Sequence, residues 1–256
     1  VKTIAIGLVM LAVAGGSAHA ASPFVGHWKL DVAKSHFAGD TMTFVKTSSG
    51  FQTSGGSVTY AFAIDGKDYP MFPGRTTAWT KTGDGAWDIV IKGDGKVLTK
   101  AHRVLSPDGK RLMTTYVEYR PDGATSTEKD VYDRLSGTDG LAGKWKDVKV
   151  DAATDAIDIA VPGPGLFRLE QPSYKQVIVG KTDGSAATLT GPTLPPGAAA
   201  KYKAVGLDKW EYTFLLGAKV FGKGVMKVSP DGKMLTDTSW APGKEDERSM
   251  AVYLKQ

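Results

Sequence analysis

The sequence predicts an all-β protein made of two tandem antiparallel up-and-down β-barrel units, with little helix apart from a leader segment. An internal duplication, a two-residue alternation of apolar side chains and a series of Asp-Gly pairs carry this prediction. Gly26-His27-Trp28-Lys29 recurs as Gly143-Lys144-Trp145-Lys146, 117 residues later, and Ser106-Pro107-Asp108-Gly109-Lys110 recurs as Ser229-Pro230-Asp231-Gly232-Lys233, 123 residues later. The second offset runs without a gap from Trp87, matched by Trp210, to Leu112, matched by Leu235. Each unit then closes on Val-Tyr, at Val131-Tyr132 and Val252-Tyr253. A period of this length lets each unit bury its own core, whereas short solenoid repeats must stack to do so. The units expected are residues 24–135 and 141–256, with 136–140, rich in Gly and small polar residues, as the linker.

Within the units, Trp87, Ile89 and Ile91 share one face while Asp88 and Lys92 share the other, which is the period of a half-buried strand. Asp65-Gly66, Asp84-Gly85, Asp94-Gly95, Asp108-Gly109, Asp122-Gly123, Asp183-Gly184 and Asp231-Gly232 punctuate such segments. Gly accepts the positive φ of a tight hairpin turn and Asp bonds the backbone just beyond it, so hairpin follows hairpin. Helical periodicity is nearly absent. Asp31 to Phe37 leaves room for one short helical turn, and Gly191 to Ala200 reads as a loop with a brief helical end. An up-and-down sheet exposes two edges unless it closes, and closure gives a barrel.

Residues 1–20 read as a secretory signal peptide: Lys2, an apolar run from Ile4 to Ala14, and a small-x-small ending at Ala18-His19-Ala20. The run is too short to span a bilayer, which needs roughly 20 residues. The processed protein is therefore expected in the periplasm or outside a bacterial cell, with no integral membrane span. The 256-residue chain contains no Cys, which excludes disulfides, thiolate metal sites, a cysteine nucleophile and a lipidated cysteine anchor. Its 32 Lys and Arg exceed its 27 Asp and Glu by only five and never form a basic block, so no nucleic-acid partner is expected.

Phe24-Val25-Gly26-His27-Trp28-Lys29-Leu30 resembles the opening strand of the calycin superfamily, the lipocalins and fatty-acid-binding proteins, where a Gly-x-Trp motif supplies a Trp that plugs one end of the barrel. Leu141-Ala142-Gly143-Lys144-Trp145-Lys146 resembles it too, and both Val-Tyr endings look like the last strand of a fatty-acid-binding protein. The resemblance implies structural plug roles for Trp28 and Trp145 and a duplicated, secreted, lipocalin-like protein. It departs where fatty-acid-binding proteins hold the ligand carboxylate with an Arg two residues before the final Tyr, because Asp130 and Ala251 stand there.

Catalytic chemistry is hard to find. Of the four His, His19 lies in the leader, and His27, His36 and His102 have no metal spacing. No Gly-x-Ser-x-Gly elbow occurs, and acids such as Asp155, Asp158 and Glu245-Asp246-Glu247 read as solvated groups near turns. No metal or cofactor is expected. Aromatic side chains that can line a barrel are Trp87, Tyr116, Tyr132, Trp210 and Tyr253, and each can equally be core. Arg103 stands apart: on the inward face of its strand, it occupies the position that Met226 holds in the second unit. A buried guanidinium requires compensation, from an acid such as Glu118 or Asp130 or from an anionic ligand. The expected function is binding or carriage of a small apolar or amphipathic molecule without catalysis. The alternatives are an envelope scaffold with filled barrels and, further off, a hydrolase or isomerase on the same fold.

Overall fold

The computed structural model describes residues 22–55, 58–149 and 155–256, so the leader segment lies outside the described residues. The chain opens with β1 (Gly26–Leu30) and a 3-10 turn over Val32–Lys34, the short turn expected after the first strand. Ten strands consecutive in sequence follow. They are β2 (Thr41–Thr47), β3 (Gly50–Gly55), β4 (Val58–Phe62), β5 (Tyr69–Phe72), β6 (Arg75–Gly83), β7 (Ala86–Gly93), β8 (Lys96–Leu105), β9 (Arg111–Tyr119), β10 (Thr125–Ser136) and β11 (Gly143–Lys149). The remainder comprises β12 (Ala156–Gly163), β13 (Leu166–Gln171), a 3-10 turn over Pro172–Tyr174, β14 (Gln176–Lys181), β15 (Asp183–Thr190), β16 (Ala198–Ala204), β17 (Lys209–Leu216), β18 (Lys219–Val228), β19 (Met234–Trp240) and β20 (Ser249–Lys255). The brief helical end expected before Ala200 is absent among the described residues, because Ala198 already begins β16.

The protein is all-β, with two antiparallel ten-stranded sheets curved as barrels. All seven Asp-Gly glycines have φ between 68 and 91°, the left-handed conformation that tight turns require. The apolar alternation also holds: Trp87 and Ile89 are buried beside the exposed Asp88.

Strand assignment differs from the expected units in one respect. β1 does not join the sheet of the residues that follow it. It pairs with β12 through Trp28↔Ile157 and with β20 through Leu30↔Tyr253, and so closes the second barrel. The first sheet is completed instead by β11, which lies between β10 and β2 through Arg134↔Trp145 and Trp145↔Met42. The structural units are therefore residues 41–149, and residues 156–255 together with β1. The repeat in the sequence runs from Trp strand to last strand, whereas the repeat in space starts one strand later. Six residues between β10 and β11 are enough for an antiparallel neighbour, so β11 docks locally on β10. The edges of the first sheet are β4 and β5, which lie side by side without a ladder between them.

Each barrel buries one of the two motif tryptophans despite the shift. Trp28 and Trp145 are fully buried, and their indole N–H groups donate to Phe24 O at 2.8 Å and Leu141 O at 3.0 Å. A cation covers each ring: Arg134 lies 4.0 Å above Trp145, and Lys255 lies 5.1 Å above Trp28. The chain between β1 and β2 crosses from one barrel to the other. His36 makes a two-bond bridge with Met250, Lys146 Nζ donates to Gly39 O at 2.7 Å, and Lys244 faces Asp40 at 3.6 Å.

This frame predicts how fragments behave. Residues 38–149 expressed alone should give a β-type circular dichroism spectrum and a cooperative melt. Residues 24–135, which lack β11, should not. Residues 150–256 should fold only when a peptide covering residues 22–37 is added. Equal cooperativity of the 24–135 and 38–149 fragments would contradict the strand assignment.

Candidate functional site

The interior of the first barrel holds a cavity of about 300 Å³. Its walls are mostly apolar and aromatic, from Met42 and Phe44 on β2, Tyr60 on β4, Trp79 on β6 and Ile89 and Ile91 on β7. Strict alternation along these strands sends every second side chain inward, which is why residues far apart in sequence meet here. Arg103 of β8, Tyr116 of β9 and Tyr132 of β10 add the polar groups.

Arg103 is 3% exposed, and no carboxylate among the described residues forms an ion pair with it. Its Nε donates to Thr114 Oγ1 at 2.8 Å and its Nη2 to Tyr116 Oη at 3.2 Å. Its guanidinium lies 5.4 Å from the Trp79 ring centre, 5.6 Å from Tyr132 and 5.7 Å from Phe44. Three aromatic faces and two hydroxyls thus offset part of the desolvation cost, but every one of these groups is neutral. The positive charge therefore remains uncompensated at short range, in surroundings that strengthen its attraction for an anion.

The two acids considered as partners for Arg103 are placed elsewhere. Glu118 accepts from Tyr174 Oη at 2.6 Å and from Ser126 Oγ at 3.3 Å, and lies 3.8 Å from Arg120. Asp130 connects to Arg103 through a relay in which Tyr116 and Tyr132 hydroxyls are 3.1 Å apart and Tyr132 Oη donates to Asp130 Oδ2 at 3.2 Å. Burial pushes the Tyr132 and Tyr60 phenols upward, so both stay protonated at any physiological pH. Asp147, brought to this barrel by β11, is pushed up to about 7, first by burial and then by Asp130 and Asp40 nearby. Thr77 Oγ1 and Trp79 Nε1 are buried beside the Tyr60 hydroxyl.

Of the ligand-lining residues expected from the sequence, Arg103, Tyr116 and Tyr132 converge on this cavity. Trp87 does not line it; at 6% exposure it packs into the core. Trp210 stacks on Phe24 with ring centres 3.9 Å apart, as core of the second barrel. Tyr253 packs at the margin of that second core. Trp28 and Trp145 are buried in the cores of the second and first barrels respectively. His27 and His102 lie on the outside, each beside a cross-strand acid: Asp158 at 2.6 Å and Asp88 at 2.7 Å.

Several site residues escaped the sequence reading. Trp79, Phe44, Tyr60 and Met42 carried no signal, since any of them could have filled an outer or core position. Asp237 did carry one. The 123-residue offset continues two positions past Leu112 and Leu235, and there it matches Thr114 with Asp237. In the structure, Thr114 lies directly across from Arg103, and Asp237 directly across from Met226. Tyr212 Oη donates to Asp237 Oδ1 at 2.8 Å, and burial raises this carboxyl to about 6.

Asp147 and Asp237 set a pH dependence of known sign. In the unfolded chain each carboxyl ionises near 3.8; in the fold each keeps its proton to about 7 and about 6 respectively. Between those values the folded state binds more protons, so these groups make the protein less stable as pH rises, and the loss levels off above each folded value. For Asp237 the full effect is on the order of 3 kcal/mol. Asp237→Asn should therefore melt close to wild type at pH 4 and higher than wild type at pH 7.5, with Asp147→Asn behaving similarly. A gap between variant and wild type that does not grow with pH in thermal melts would refute this assignment. Comparison with protein-family models, with curated proteins and with solved structures finds no match for this chain.

Proposed function

We propose that the first barrel binds a small amphipathic anion, with its acidic head on Arg103 and its apolar part between Phe44, Trp79 and Ile89. The observation that carries this is a buried guanidinium, held only by neutral groups, on the wall of a cavity otherwise lined by hydrophobic side chains. Few polar groups set among many apolar ones are the usual composition of a ligand pocket. At about 300 Å³ the cavity lies at the small end of such pockets, which favours a medium-chain or compact cyclic acid over a long-chain one. The Gly-x-Trp plug strands and the up-and-down barrel support a calycin-like carrier. Lys2, the apolar run after it and the small-x-small ending support export of that carrier to the periplasm or medium. Binding needs no covalent step, and burial holds the Tyr132 phenol near the head group protonated, as a donor rather than a base.

Sodium decanoate is a suitable probe. A charge-assisted bond from Arg103 contributes about 1.5 to 3 kcal/mol, so Arg103→Met should weaken decanoate binding roughly tenfold or more in calorimetric titration. Its melting temperature should stay near wild type, because Met226 fills the equivalent place in the twin. Unchanged affinity with a clear drop in melting temperature would instead make Arg103 a structural member of the Tyr116–Tyr132–Asp130 relay.

A further inference from the structure

The second barrel carries the inverse of the first at the same backbone positions. Along the 123-residue offset, Arg103 becomes Met226, Thr114 becomes Asp237, Trp79 becomes Tyr202 and Ile89 becomes Tyr212. The register confirms these equivalences, since Trp79 pairs with Ile89 and Tyr202 with Tyr212. Where one barrel holds a cation opposite a hydroxyl, the other holds a carboxylate opposite a thioether.

Asp237 has no lysine or arginine in ion-pair contact among the described residues. It is enclosed by its neighbours yet keeps some accessible surface. Tyr212 supplies its one hydrogen bond among the described residues, and Gly224 makes this geometry attainable, because a methyl group there would overlap the Tyr212 ring. Tyr202 is 3% exposed and close enough for Asp237 to act on its phenol, yet its hydroxyl makes no hydrogen bond among the described residues. That leaves the hydroxyl able to bond a ligand beside the carboxylate. The aromatic rings continue from this point toward one mouth of the barrel: Tyr202 and Tyr212 centres are 5.5 Å apart, Tyr212 and Phe214 4.9 Å. Phe214 in turn lines a largely apolar cavity of about 230 Å³ with Leu189, Ala198 and Leu216 of the second barrel and Phe72 and Arg75 of the first.

We propose that the second barrel is a separate site for a small organic cation, with a protonated amine on Asp237 and the Tyr202 hydroxyl, and its apolar part against Phe214 in the adjoining cavity. A buried carboxylate with one hydrogen bond gains most from a cation, and the flanking ring faces attract the same charge. A neutral alcohol could donate to Asp237 but would leave its charge uncompensated. An acid would be repelled. The site is independent of the anion reading of the first barrel.

The test is calorimetric titration of the full chain at pH 7.5 with phenethylamine, 2-phenylethanol and 3-phenylpropionate, three probes of similar shape and different charge. Phenethylamine should bind at least tenfold more tightly than 2-phenylethanol. Asp237→Asn should abolish that preference, while Arg103→Met should leave it intact. Melting curves show that the Asn variant is folded, and Tyr202→Phe, which removes only the hydroxyl, should weaken the amine several-fold without affecting the alcohol. Equal affinity for amine and alcohol, or an amine affinity that survives Asp237→Asn in folded protein, overturns the proposal. Amine binding lost in Arg103→Met but kept in Asp237→Asn would move it to the first barrel and likewise overturn it.

Discussion

The pairing of β1 with β20 and β12 is the contact on which the rest of the molecule depends. Without it β12 and β20 would be open edges, and an open up-and-down sheet has unpaired N–H and C=O groups along both sides. The same strand carries the buried Trp28 and leads in from Phe24, which stacks on Trp210. It also fixes the two ends of the described chain together, with Gln256 N donating to His27 O at 3.0 Å. The β1–β20 contacts join residues more than 200 positions apart, so closing this loop costs more entropy than any hairpin. The first barrel avoids this cost, because β11 follows β10 directly.

The closure also ties the barrels to each other. The strap from Asp31 to Asp40 cannot leave one barrel without disturbing the other, since Ser35 and His36 bond β20 while Gly39 and Asp40 bond β11. Around it lie Lys146 with Glu247 and Lys244 with Asp40, charged pairs that are partly exposed and so contribute orientation more than stability. Tyr174 of the second unit also donates to Glu118 of the first. Duplication here has produced an interlocked pair rather than two beads on a linker.

The interiors of the two barrels show what duplication permits. A shared backbone places inward positions identically, so a substitution at one of them changes chemistry without changing shape. Arg103 and an acid at position 114 would have neutralised each other across β8 and β9, as would Asp237 and a base at position 226. Instead the cation and the anion sit in different barrels, each opposite a neutral neighbour. Burying unpaired charge lowers stability, and proteins retain such groups mainly where they recognise something.

The sequence by itself determined the all-β class, the duplication, the turn positions and the inward placement of Arg103. Each follows from local rules: alternation fixes the face of a side chain, Asp-Gly fixes a turn, and a constant offset fixes equivalence. Tyr116 and Tyr132 were legible as inward-facing aromatics for the same reason. The tertiary structure alone decided which sheet β1 enters, because Gly26 to Leu30 and Gly143 to Lys149 carry the same motif and either could close either barrel by pattern. The short connection from β10 to β11 settled that choice through chain entropy. It also decided that Trp87 is core while Trp79 lines the cavity. Both alternate correctly, but Trp87 lies at the packed end of β7 and Trp79 faces the cavity beside Arg103, a difference of depth along the barrel that a period of two does not encode.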